Sequence, residues 1–97
     1  MNTGSFTVAD VIRQRRVELG MSLAELAQAV GVRNPEFLLA IEKGHRCVGL
    51  DNAQLYADAL RLDAKDLMVA VLFELYPGGY KVLFGSEAPR WPRPAAG

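Results

Sequence analysis

The chain has 97 residues, enough for one small domain, and 51% of them are apolar, which is ample for a helical core. Lys plus Arg and Asp plus Glu balance at 11 each, so no overall basic excess is available for nucleic-acid binding and any such binding must rest on local charge. The single cysteine, Cys47, excludes an internal disulfide and suits a reducing cytosol; no run of about 18 apolar residues offers a membrane span, and the N-terminus lacks the basic-then-apolar layout of a secretion signal.

Residues 1–6 read as a flexible lead. Thr7 and Asp10 have the spacing of a capping box that opens a first helix over about 8–19, with Val8, Val11, Ile12 and Leu19 inward and Gly20 as its stop. Ser22 and Glu25 repeat that spacing. They open a second helix over 23–30, where Leu23, Leu26, Ala27 and Val30 recur at helical intervals and Gly31 ends the run. Asn34-Pro35 restarts the chain as a third helix over 35–43, a capping side chain followed by proline at the first helical position. Phe37, Leu38 and Ile41 supply its apolar face, and Gly44 stops it. Asp51 opens a fourth helix over 52–60. Asp63, with Asp66 three residues on, opens a fifth over 64–76, which Pro77 closes.

The remainder is different in composition. PGGYKVLFG, residues 77–85, reads as a turn and a short apolar run of β character, and residues 86–97, rich in Pro, Ala and Gly, read as a disordered tail. The fold expected is therefore all-α: a five-helix domain over 7–76 with a short C-terminal extension.

Helices two and three, joined by a tight Gly-containing turn, form a helix-turn-helix, a unit able to lay its second helix in a DNA major groove. LGMSLAELAQAVGV followed by IEKG resembles the phage-repressor (Cro-like, XRE-type) helix-turn-helix family over about residues 8–72. The resemblance implies a sequence-specific transcription regulator without catalytic activity, located in the cytoplasm with the nucleoid and bound to double-stranded DNA. It also implies an ion pair, Arg16 with Glu42, linking helix one to the recognition helix. One departure stands out: members usually carry Ser, Gln, Asn, Thr or Arg where this chain has Glu36, Leu38, Leu39 and Ala40.

The DNA-facing candidates follow from position and chemistry. Ser22 and the amides of helix two can hold a phosphate at a helix N-terminus. Arg33 suits guanine, Asn34 adenine and Glu36 the amino group of cytosine. Asn34 is read equally well as an N-cap, and Glu36 as a charge that favours the helix start. Leu38, Leu39 and Ala40 include at least one outward position, and an exposed leucine suits a thymine methyl or a protein equally. Lys43, His45 and Arg46 form a basic cluster placed to meet the DNA backbone. Arg13 and Arg15 add charge on helix one. No grouping has the spacing of a catalytic centre, a metal site or a cofactor loop, so neither enzyme activity nor a cofactor is expected.

Phe73, Tyr76, Tyr80, Val82 and Phe84 exceed what a five-helix core needs and predict an association surface, for a homodimer or a hetero-partner; the alternative is that YKVLF folds back and caps its own core. The alternative function is a helix-turn-helix that serves mainly as a protein-interaction module within a larger regulatory complex. Zero net charge and the leucines of helix three favour that alternative.

Overall fold

The computed structural model describes residues 6–96. Six α-helices follow one another: α1 (Val8–Glu18), α2 (Leu23–Val30), α3 (Pro35–Glu42), α4 (Ala53–Leu60), α5 (Ala64–Leu75) and α6 (Pro77–Phe84), with a single 3-10 turn, Leu50–Asn52, leading into α4. No strand is present among the described residues.

Local chemistry accounts for most of the starts and stops. Thr7–Asp10 and Ser22–Glu25 are complete capping boxes, each side chain receiving the other residue's backbone N–H. Asn34 accepts from the Glu36 amide and Asp63 from the Asp66 amide. Gly31 turns α2 off in the left-handed region at φ 77°, where a side chain would be strained. α4 is the exception. Asp51 does not cap it; the 3-10 turn feeds in through Asn52, which makes no side-chain cap bond.

One core serves these helices. Val11, Ile12, Leu26, Leu38, Ile41, Leu60, Leu67 and Val71 are fully enclosed, so α1, α2, α3, α4 and α5 all contribute to it. Tertiary hydrogen bonds tie helix ends together across long sequence distances. Glu74 on α5 accepts the Val8 amide at the start of α1, 3.0 Å. Arg15 on α1 donates to the carbonyls of Leu60 and Arg61 at the end of α4, 2.8 and 3.2 Å, which satisfies groups that helix geometry leaves without partners. Arg15 is therefore a structural cap and not a free surface cation.

The C-terminal third departs from expectation in two ways. First, residues 77–84 are helical, so the described residues hold six α-helices and not five. Pro77 both ends α5 and occupies the first position of α6, where its fixed φ suits a helix and its missing N–H costs nothing. The Tyr80 amide then bonds back to Tyr76, 2.9 Å. Gly78 and Gly79 disfavour a helix by about 1 kcal/mol each relative to Ala. Burial of Tyr80 offsets this, because its ring packs edge-on to Phe73 at 4.8 Å and its hydroxyl donates to the Glu87 carbonyl at 2.7 Å. A strand at 80–84 would have had no partner.

Second, the tail is not free. The Asp63 amide donates to the Arg93 carbonyl and the Ala95 amide to the Arg61 carbonyl, 2.8 and 2.9 Å, around an antiparallel bridge between Leu62 and Pro94. Pro92 is buried. The Arg93 guanidinium closes on both Asp66 carboxylate oxygens at 2.8 and 3.3 Å. Proline's extended φ suits this segment, and the α4–α5 link supplies the backbone groups it pairs with. Trp91 packs against Phe6, centroids 5.1 Å apart, so Phe6 belongs to the domain while the lead of residues 1–5 lies outside the described residues.

Candidate nucleic-acid interface

α3 is pinned from behind. Leu38 is 0% and Ile41 1% exposed, and Glu42, one turn on from Leu38, is buried beside them. The buried Glu42 carboxylate is matched by Arg16 of α1 in a two-point contact, Nε to Oε2 at 2.7 Å and Nη2 to Oε1 at 3.0 Å. Arg16 also donates to the Met21 carbonyl at 2.8 Å, so one guanidinium fixes α1, the turn before α2 and α3. The hydrogen bond to Glu42 holds the Arg16 guanidinium above its ordinary pKa, against the opposing effect of burial. Such a pair defines the orientation of α3 because its planar fork accepts one geometry.

Pinning that face turns the others outward. Arg33, Asn34 and Glu36 are exposed at the start of α3; Phe37 and Leu39 are each 37% exposed along its outer side; Lys43, His45 and Arg46 are exposed just beyond its end. Leu38 is the correction. It was a candidate for base contact, yet it lies in the core. The apolar run Phe37-Leu38-Leu39-Ala40-Ile41 hides the helical phase, and the register that buries Leu38, Ile41 and Glu42 leaves Phe37 outward. Phe37 is thus a surface residue that the sequence pattern assigned to the core. Its signal was the neighbouring Glu42, whose burial with Arg16 fixes the phase.

Asn34 Oδ1 accepts from the Glu36 amide at 3.0 Å, so its carbonyl oxygen is engaged as an N-cap while its amide hydrogens remain outward. Ser22 is similarly engaged within the capping box of α2. Arg46 lies over the Phe37 ring, 5.0 Å from its centroid. Cys47 is exposed.

The association candidates divide. Val82 is 85% exposed, Tyr76 55%, Phe84 49% and Phe73 36%, and Leu83 at 68% joins them. Tyr80 does not: at 4% exposure it anchors α6 to its own domain. Among the described residues no helix is long and apolar enough to cross a membrane.

This architecture agrees with comparisons to known proteins. The family model described as "Helix-turn-helix" matches residues 12–67, more than half of the chain. The chain belongs to this XRE-type helix-turn-helix family of DNA-binding regulators. Among solved structures it is similar to the restriction-modification controller protein C.AhdI from Aeromonas hydrophila, with 28% identity over 62% of this chain and 89% of that one, TM-score 0.56. It is similar also to the clp gene regulator ClgR from C. glutamicum, 25% identical over 70% and 87% of the two chains, TM-score 0.57. The hypothetical transcription factor NHTF from Neisseria is 31% identical over 63% and 69%, TM-score 0.56. No curated protein matches the chain. These neighbours are a controller protein, a gene regulator and a hypothetical transcription factor.

Proposed function

We propose that this DNA-binding transcription regulator reads specific duplex DNA by placing α3 in the major groove. The observation that carries the reading is the fixed orientation of α3. With Leu38, Ile41 and Glu42 held inward, the exposed row offers base-edge chemistry at its start and positive charge at its end. Arg33 and Glu36 have free side chains for guanine and cytosine, Leu39 for a thymine methyl, and the amide hydrogens of Asn34 for an acceptor. Lys43, His45 and Arg46 approach the phosphates, as do the amides at the start of α2 near Ser22. Two copies associated through the apolar face of Phe73, Tyr76, Val82 and Phe84 place two recognition helices on one side of the duplex, about 34 Å apart.

A titration with genomic duplex fragments at several salt concentrations tests this. Affinity falls steeply with salt, because each phosphate contact releases counterions. Arg33→Ala weakens binding by about 1–3 kcal/mol and relaxes discrimination at one base pair if Arg33 reads a base edge. Uniform weakening over all sequences makes Arg33 a phosphate contact. Absence of binding to every fragment at low salt overturns the reading. Light scattering that finds a monomer at high concentration overturns the self-association.

A further inference from the structure

We propose that Phe37 is a positioning residue for DNA contact: its ring face holds the Arg46 guanidinium against the outer side of α3, with the N–H edge left free for a backbone phosphate of duplex DNA. The inference rests on the DNA-binding reading above and adds to it a residue and a mechanism.

Four observations converge on it. The chain reverses after α3, with Lys43 as C-cap, Gly44 at φ 80° and the His45 amide bonded back to the Ala40 carbonyl at 2.9 Å. After this reversal the Arg46 side chain reaches Phe37. There the guanidinium carbon stands 5.0 Å from the ring centroid, within cation–π range. The ring itself is 37% exposed, on a helix whose opposite face is completely closed. Finally, Arg46 makes no ion pair among the described residues, whereas Arg15, Arg16 and Arg93 are each paired with a carboxylate. Arg46 is therefore oriented without being neutralised.

The two contacts of the guanidinium do not compete. The guanidinium carbon sits over the ring, and the five N–H donors are spread around one plane, so donors on the side away from the ring remain for a phosphate. An unsupported arginine on a loop samples many rotamers and must lose that freedom on binding. The ring removes part of that loss beforehand, so the phosphate meets a preset fork. A lysine at position 46 could take the ring but has no planar edge to offer.

The test is a double-mutant cycle on the full chain, with Kd for a wild-type-selected duplex measured by fluorescence anisotropy over a salt series and thermal melts confirming that every variant folds. Phe37→Leu keeps apolar bulk and removes the π face; it is expected to weaken binding about two- to five-fold, the span of an exposed cation–π contact. Phe37→Tyr, which keeps the π face, restores most of the affinity. Arg46→Ala lowers the salt slope by about one phosphate contact, and in that background Phe37→Leu produces no further loss. Equal affinities of wild type and Phe37→Leu, or an undiminished Phe37→Leu loss in the Arg46→Ala background, overturn the inference while DNA binding itself stands. If wild type binds no duplex, the DNA reading fails and this inference fails with it.

Discussion

The helix-turn-helix and the C-terminal third are held together by different kinds of information. From Thr7 to Gly44 each helix carries its own start and stop within a few residues: two capping boxes, an Asn-Pro start and glycine ends. From Tyr76 onward almost nothing is local. α6 opens on a residue without a cap bond and contains two glycines, and it stands because Tyr80 reaches Phe73 and Glu87. The tail stands because Arg93 reaches Asp66 and the backbone of residues 61–63. The difference teaches that the helix-turn-helix end of the domain is specified redundantly, whereas its C-terminal cover depends on a few distant contacts.

Glu42→Ala tests that division most severely. It strands the Arg16 guanidinium, 16% exposed, at the junction of α1 and α3, and a loss of about 3 kcal/mol is expected for breaking a buried pair by one member. In a domain of this size the thermal midpoint falls by roughly 10 °C or more. A melt that matches wild type would refute the claim that this pair pins α3.

Tyr80→Ala acts on the other region. Loss of a buried aromatic side chain costs about 3 kcal/mol where the site cannot collapse, but the cost is expected to stay local. Hydrogen exchange should show amides of residues 77–84 exposed while α1 to α4 keep their protection. If all six helices lose protection together, the two regions are one cooperative unit and the contrast drawn above fails.

Ser22→Ala removes one half of a capping box and is expected to cost about 1 kcal/mol. A smaller effect would mean that burial of Leu26, Ala27 and Val30 sets the start of α2 with no help from its cap.

Acidification gives the smallest and most local change. The Arg93 guanidinium holds the Asp66 carboxyl below its ordinary value of 3.8, with burial opposing. A carboxylate depressed in the folded state contributes stability fully above that ordinary value, and the contribution is lost as pH falls beneath it, through the folded value. Trp91, the sole tryptophan, reports the event. Its fluorescence should change below pH 3.8 as the tail lifts from Phe6, and Asp66→Asn should remove the pH dependence of that change.

The same contrast governs what could be read from the residues. Capping boxes, the Gly31 turn and the Asn34-Pro35 restart are short-range devices whose chemistry is visible within four residues, so α1, α2, α3 and α5 were legible almost to the residue. α6 was not, because Pro-Gly-Gly carries a turn signal and the compensating contact to Phe73 comes from tertiary structure. The ordered tail was hidden for a similar reason: its partners are backbone groups of the α4–α5 link, which have no sequence signature. At the interface the charged candidates around α3 are all exposed, but the unbroken apolar run from Phe37 to Ile41 concealed which side faces the core. That run cost Leu38 its surface role and obscured Phe37.

The contact between Phe6 and Trp91 has a consequence for how the domain can be joined to other things. It sets the first described residue against one that lies five residues before the last, 5.1 Å apart at the rings, while Pro94 and Ala95 run on to the α4–α5 link. A polypeptide fused before residue 6 would therefore leave beside Trp91, whereas one fused after residue 96 would leave beside the α4–α5 link, close to Arg61.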